Sequence, residues 1–294
     1  MNARACRGHL VTVSCLTLLL TSWVGQVSTQ ENNKSIFVSV LDAEGKPVTG
    51  LTAADFAIRE DNADRKIVDV KPASQPIYIA MLIDTSTGAT GFIQDIREGF
   101  SAFAKEVLGK SPESQLSLWE FGQAAVRVEN FTNDLTTLTD KINRLFPRLN
   151  ASSVLLEALN DASNDLAGKP SPRRAVVLLN IEPSEEQSQE QPQKINESLM
   201  RSRAQLWAVS LQKGTLKNAR RDVVLNQLVR NAGGTREYIV AESAAPMQLA
   251  RIADALTSQY EITYERPGDS AKIVQVGQRT GKDLKLVAGI FAPK

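Results

Sequence analysis

In the stretch IYIAMLIDTSTGAT, Ile77 to Thr90, a mostly apolar run ends at Asp84 and is followed by Thr85, Ser86, Thr87 and Gly88. An aspartate at the end of a buried strand, with hydroxyl side chains directly after it, offers oxygen ligands to a hard divalent cation such as magnesium. The same residue types cap helices, because Asp and Ser side chains accept hydrogen bonds from the free N–H groups of a first turn. Types and spacing alone leave both readings open.

Other chemistry is bounded by what the chain lacks. Both cysteines, Cys6 and Cys15, and the single histidine, His9, fall within the first 30 residues. There Arg4 and Arg7 lead into the apolar run Leu10 to Val24, which has the length of a signal-peptide core and is short for a bilayer span. Export is therefore expected, with cleavage between Gly25 and Glu31; a retained N-terminal anchor is the alternative. Past that segment no thiol nucleophile, imidazole base, disulfide or usual zinc ligand remains. Ser86 or Ser153 would need a neighbouring lysine as base, and Lys105 and Lys110 lie well past the first loop. The expectation is a protein that is not an enzyme and holds no cofactor, a magnesium ion at Asp84 being the open question. Losing Arg4 and Arg7 takes 34 basic residues to 32 against 33 acidic ones, a balance that does not suit nucleic acid.

The elements that must position Asp84 alternate between strand and helix. IYIAMLID, QLSLWEFG, RRAVVLLN, QLWAVSLQ and REYIV read as strands; IYIAMLID is an almost continuous apolar run of the kind covered on both faces, and RRAVVLLN is another buried strand. Between them FIQDIREGFSAFAKEVLG keeps helical spacing through Ile93, Ile96, Phe100, Phe103 and Val107, and LTTLTDKINRLF, VLLEALNDASNDLAG, DVVLNQLVRNAGG and AAPMQLARIADALTSQ read as further helices. QLSLWEFG and AVRVENF, two residues apart, predict a hairpin that ends the sheet with an antiparallel strand. The fold class is α/β, a doubly wound and mainly parallel sheet, in which ligands gather at the carboxyl ends of strands near the point where strand order reverses. Small β segments flank it: SIFVSVLD and a hairpin in AIREDNADRKIVDVKP before, and YEITYERP, AKIVQVGQ and LKLVAGIF after. The predicted division is 1–30 signal, 31–75 β module, 76–257 α/β domain and 258–294 C-terminal β segment, with the two β ends expected to pack together. Trp119 and Trp207 read as core, and the polar run Ser184 to Lys194 as a solvated loop and helix start carrying no chemistry.

With these elements in order, the chain resembles the von Willebrand factor A family, whose three-layer, Rossmann-type domain carries a metal-ion-dependent adhesion site. The family's first loop reads D-x-S-x-S. Here DTSTG matches at Asp84 and Ser86, and Gly88 replaces the second serine. NASSVLLEAL is similar to the second-loop pattern G-G-T-x-L-x-x-A-L and lays Ser153 on its threonine. LLNIE stands where L-L-T-D-G is expected, which puts Ile181 at the aspartate position. The resemblance thus implies a remnant metal site of Asp84, Ser86 and Ser153, weak or non-binding, with Glu182 as a conceivable substitute carboxylate. Thr87, Gly88 and Ser152 beside it are the implied partner contacts.

SVLDAEGKPVTGLTAADFAIREDNADRKI and QYEITYERP further resemble the ends of the A-related proteins frequent in acidobacterial genomes. The implied role is a secreted, periplasmic or envelope protein that binds another protein in adhesion; the alternative is a structural scaffold of an envelope assembly with an inert sheet top.

Overall fold

The computed structural model describes residues 33–212, 214, 218–268, 271–279, 281 and 283–293; the expected signal segment, 1–30, lies outside them. The described chain starts with β1 (Asn33–Leu41), β2 (Phe56–Glu60), β3 (Ala63–Arg65) and β4 (Ile67–Pro72). Strand β5 (Tyr78–Ile83) and helix α1 (Ile93–Lys110) follow, then the pair β6 (Gln115–Gly122) and β7 (Ala124–Thr132). Next come α2 (Leu135–Asn143), α3 (Leu155–Ala167), β8 (Arg174–Ile181), α4 (Pro192–Ser202) and β9 (Gln205–Leu211). A helical stretch made of α5 (Ala219–Val223), a π turn (Val224–Leu228) and α6 (Val229–Asn231) leads to β10 (Arg236–Ile239) and α7 (Ala245–Thr257). The chain returns to strands with β11 (Tyr260–Glu265), β12 (Val274–Gln278) and β13 (Lys285–Val287).

The central sheet runs in the order β10, β9, β8, β5, β6, β7, parallel throughout except for the β6–β7 hairpin. Side chains of a strand alternate between faces. In β5, Ile79, Met81 and Ile83 therefore enter one core, with Phe100 and Phe103 of α1, Ile142 of α2 and Leu249 of α7. Ala80 and Leu82 enter the other, with Leu156 and Leu159 of α3 and Leu199 of α4. Both faces are covered, which is why the strands are apolar at successive positions rather than alternate ones. Trp119 and Trp207 are 6% and 1% exposed and belong to these cores.

β5 lies between β8 and β6, so connections leave it in opposite directions across the sheet. Asp84, the next residue, sits in the crevice where strand order reverses.

The two chain ends share sheets. β1 pairs antiparallel with β11, Ile36 opposite Ile262, and β13, β1, β11 and β4 form one sheet while β12, β2 and β3 form another. Val38, Phe56, Ile58, Tyr264 and Val274 are buried in their common core. The hairpin read in AIREDNADRKIVDVKP is shorter than its sequence suggests. Asp61 and Asn62 take φ of 46° and 69°, the turn that tightens β2 onto β3, and only Ala63–Arg65 pairs back. Ile67–Pro72 instead pairs with β11, because its partner is chosen by the tertiary core and not by the nearest turn.

Candidate functional site

Three loops meet at the carboxyl end of the sheet. The first begins at Asp84, which is fully buried. Its Oδ1 accepts from the backbone N–H of Ser86 at 2.9 Å and its Oδ2 from that of Ile181 at 3.2 Å. Ser86 precedes a short 3-10 turn, Thr87–Ala89, and makes no side-chain cap, while α1 starts only at Ile93 behind Phe92. The helix-cap reading of Asp84 and Ser86 is thus not what the fold uses. Ser86 Oγ donates instead to Ser184 Oγ at 2.7 Å.

Ser184 belongs to the polar run that sequence reasoning left without a role, and this corrects that reading. Segment 182–190 folds back over the sheet top. Ser153 N–H donates to the Glu185 carbonyl at 2.7 Å, Gln187 N–H to the Ser153 carbonyl at 2.9 Å, and Ser153 Oγ to Glu186 Oε2 at 3.0 Å. Glu186 Oε1 accepts from the N–H of Leu155 at the start of α3 and from Ser188, so the carboxylate lies at the positive end of a helix. Ser188 Oγ accepts from Leu156 N–H at 3.0 Å, completing the closure. A stretch rich in Gln, Glu and Ser reads as solvated; its burial is set by two other loops, a signal absent from its own composition.

Position 88 shows how tightly the closure fits. A Cβ built on Gly88 would collide with Ser184 Oγ and come within 3.3 Å of Ile181 Cγ2. Ile181 is itself fully buried in the core. Glu182, the conceivable substitute carboxylate, points elsewhere. It pairs with Arg236, lies 4.0 Å from Arg221, and its own carbonyl accepts from the Arg221 guanidinium.

Burial pushes the Asp84 carboxyl above the usual carboxylate range, outweighing the hydrogen bonds from Ser86, Ile181 and Ser184 that favour its charge. Burial, with the charge of Asp84 adding to it, likewise pushes Glu186 up against the hydrogen bonds from Ser188 and Ser153. This donor set does not fit a small hard cation. Magnesium asks for near-octahedral oxygen coordination. Here both carboxylate oxygens of Asp84 face backbone N–H groups, the hydroxyls of Ser86 and Ser153 face Ser184 and Glu186, and a hydrocarbon stands at 181.

Around this closed centre the outer loops are exposed. Thr87 is open to solvent, and Gly88 and Ser152 are half-buried. Thr87 Oγ1 donates to the Arg148 carbonyl at 3.2 Å, and Thr87 N–H to that of Ala151 at 2.9 Å. The loop so held is anchored by Arg148 pairing with Glu120, whose other oxygen accepts from Thr85 Oγ1. It presents Phe146, 66% exposed, and Leu149, 78% exposed. Arg97 stacks over Phe146 at 4.5 Å. Sequence reasoning missed this pair because RLFPRL continues the apolar pattern of α2, which ends at Asn143.

Among solved structures, the chain is similar to a von Willebrand factor type A protein from Catenulispora acidiphila, with a TM-score of 0.50 and 11% identity over 91% of this chain and 76% of that one. Proximal thread matrix protein 1 from the mussel byssus matches with a TM-score of 0.51 and 12% identity over 67% of this chain and 50% of its own length. The D319A mutant of the PilB minor pilin from Streptococcus sanguinis matches with a TM-score of 0.45 and 11% identity over 63% of this chain and 62% of its own. The chain therefore spans about half the length of the mussel protein and 62% of the pilin. No protein-family model and no curated protein matches.

Proposed function

We propose that this chain, whose fold is that of the von Willebrand factor A domain, is an exported protein that binds a protein partner at its sheet top without a metal ion. The observation that carries the reading is the combination at one end of the sheet. The centre is closed by the protein's own Ser184 and Glu186, while Phe146 and Leu149 stand exposed on a loop pinned to Thr87. Two large apolar side chains on one anchored loop are a cost in water unless something covers them, and aromatic anchors of this kind form the buried centre of protein interfaces. Thr87, Gly88 and Ser152 border the same surface and would form its rim.

Export accords with the apolar run Leu10 to Val24 behind Arg4 and Arg7; among the described residues no helix is long and apolar enough to cross a membrane. Catalysis is not part of the proposal: Ser86 meets only another hydroxyl, Ser184, and Glu186, the carboxylate that accepts from Ser153, is tied to the N–H groups of Leu155 and Ser188 as part of the closure.

The test is capture from the envelope fraction of the source organism, with the chain as bait in magnesium and in chelator. A partner should be retained equally in both, and Phe146→Ser with Leu149→Ser should lose it while melting at the parent temperature. Retention that needs magnesium, or that survives the double change, would overturn the reading.

A further inference from the structure

A second site lies at the opposite end of the molecule. A cavity of about 670 Å³ opens between the first residues of β8 and β9, the start of β1 and the last described residues of the chain. That volume lies within the range of small-ligand pockets. Its charged lining is one-sided: Lys34, Arg173, Arg174, Arg201 and Arg203 face it, with Glu261 as the acidic counterpart.

The arginines divide into two kinds. Arg173 and Arg174 are structural. Arg173 donates to the carbonyls of Gln75 and Leu256, each at 2.6 Å, and Arg174 to those of Ser171 and Ser202, each at 2.8 Å. Neutral carbonyls satisfy their N–H groups but leave their charge in place, and burial pulls Arg173 down to about 10 with only the charge of Glu261 opposing. Glu261 itself is shared with Gln75 at 2.9 Å and Lys71 at 3.7 Å.

Arg203 is different. It follows α4 as its C-cap in the left-handed conformation, φ 57°, lines the cavity, and its Nε is buried without a hydrogen-bond partner. A guanidinium N–H buried and unmade is costly, and a carboxylate or phosphate oxygen is the acceptor that suits its fork. The rest of the wall is mixed: Phe37, Ile77, Leu256 and Phe291 give it apolar surface beside the uncharged polar Asn33, Ser35, Gln205 and Gln259.

We propose that this cavity binds a small amphiphilic anion, its carboxylate or phosphate head on Arg203 within the field of Lys34 and Arg201, and its hydrocarbon body along Phe37 and Phe291. The site is separate from the sheet-top surface, so the two readings stand or fall independently.

Calorimetric titration of the full chain with decanoate, decyl phosphate, decanol and inorganic phosphate tests it. Decanoate or decyl phosphate should bind, the stronger of the two naming the head group, with decanol and inorganic phosphate weaker by about ten-fold or more. Arg203→Gln should weaken the amphiphile by a similar factor, and Lys34→Gln with Arg201→Gln, both at the cavity mouth, should weaken it without touching a buried group. Phe146→Ser should leave it unchanged. Equal binding of decanol, full affinity in inorganic phosphate alone, no binding of either amphiphile, or undiminished affinity in both sets of variants would each overturn the proposal.

Discussion

Ser184 Oγ occupies the space into which a side chain at position 88 would have to grow, and this couples Gly88 to two neighbours from a loop distant in sequence. Gly88, Ile181 and Ser184 are one fitted set. Gly88→Ser alone should therefore destabilise by about 1–3 kcal/mol, the usual cost of overpacking a closed site. Adding Ser184→Gly should recover most of the loss, which a double-mutant cycle by denaturant unfolding would read. Independent, additive losses would show that the fit at 88 is not set by Ser184. Asp84 and Ser86 stood out in sequence as an aspartate and a hydroxyl after an apolar strand, open to a metal or a helix-cap reading, and Ser153 stood out only through the family resemblance. Their true partners did not stand out, since Ser184 lies 98 residues from Ser86 and Glu186 lies 33 from Ser153.

At the scale of elements, the strands and helices of the central domain were readable for a physical reason: burial on both faces leaves the middle of β5, β8 and β9 almost wholly apolar, with polar residues such as Arg174, Asn180, Gln205 and Ser210 towards the strand ends. The β ends were harder. IVDVKP looks like the return arm of a hairpin, yet it is claimed by β11, and no local signal encodes that choice. What locks β2, β3 and β11 together is Glu60, fully buried at the end of β2. Arg266 Nε donates to both its oxygens at 3.0 Å, Arg65 Nε to Oε2 at 3.2 Å, and Tyr264 Oη donates to Oε1. Burial alone would push this carboxyl up, but those hydrogen bonds and the Arg266 charge together hold it below the usual glutamate value of 4.5. A folded pKa below the unfolded one gives stability that is present above the unfolded value and lost as pH falls through the folded one. Glu60→Gln strands the buried Arg266 charge and should cost about 3–5 kcal/mol at neutral pH. The difference between parent and variant should shrink below about pH 4.5, followed by urea unfolding across the acid range. A difference independent of pH would mean that Glu60 acts by packing and not by charge.

For the molecule as a whole, the described residues form one compact unit in which the N-terminal strands pair with the C-terminal ones. β1 is flanked on both sides by β11 and β13, and β2 by β12 and β3. Deleting Tyr260 onwards should expose β1, β2 and β4 together, seen as faster amide exchange across residues 36–72. Unchanged exchange there would contradict the shared-core account. Within this framework the exposed Phe146 and Leu149 and the arginine-lined cavity lie at opposite ends of the central sheet.

The measurement that bears most directly on the metal-free sheet top is thermal unfolding of the protein in millimolar magnesium or manganese against a chelator. A cation raises the melting temperature only by binding the folded state more tightly than the unfolded one. With Asp84 turned onto the N–H groups of Ser86 and Ile181, and Ser86 and Ser153 held by Ser184 and Glu186, the account predicts coincident melting curves. A clear rise with metal that disappears in Asp84→Ala would contradict it and restore a working cation site at the end of β5.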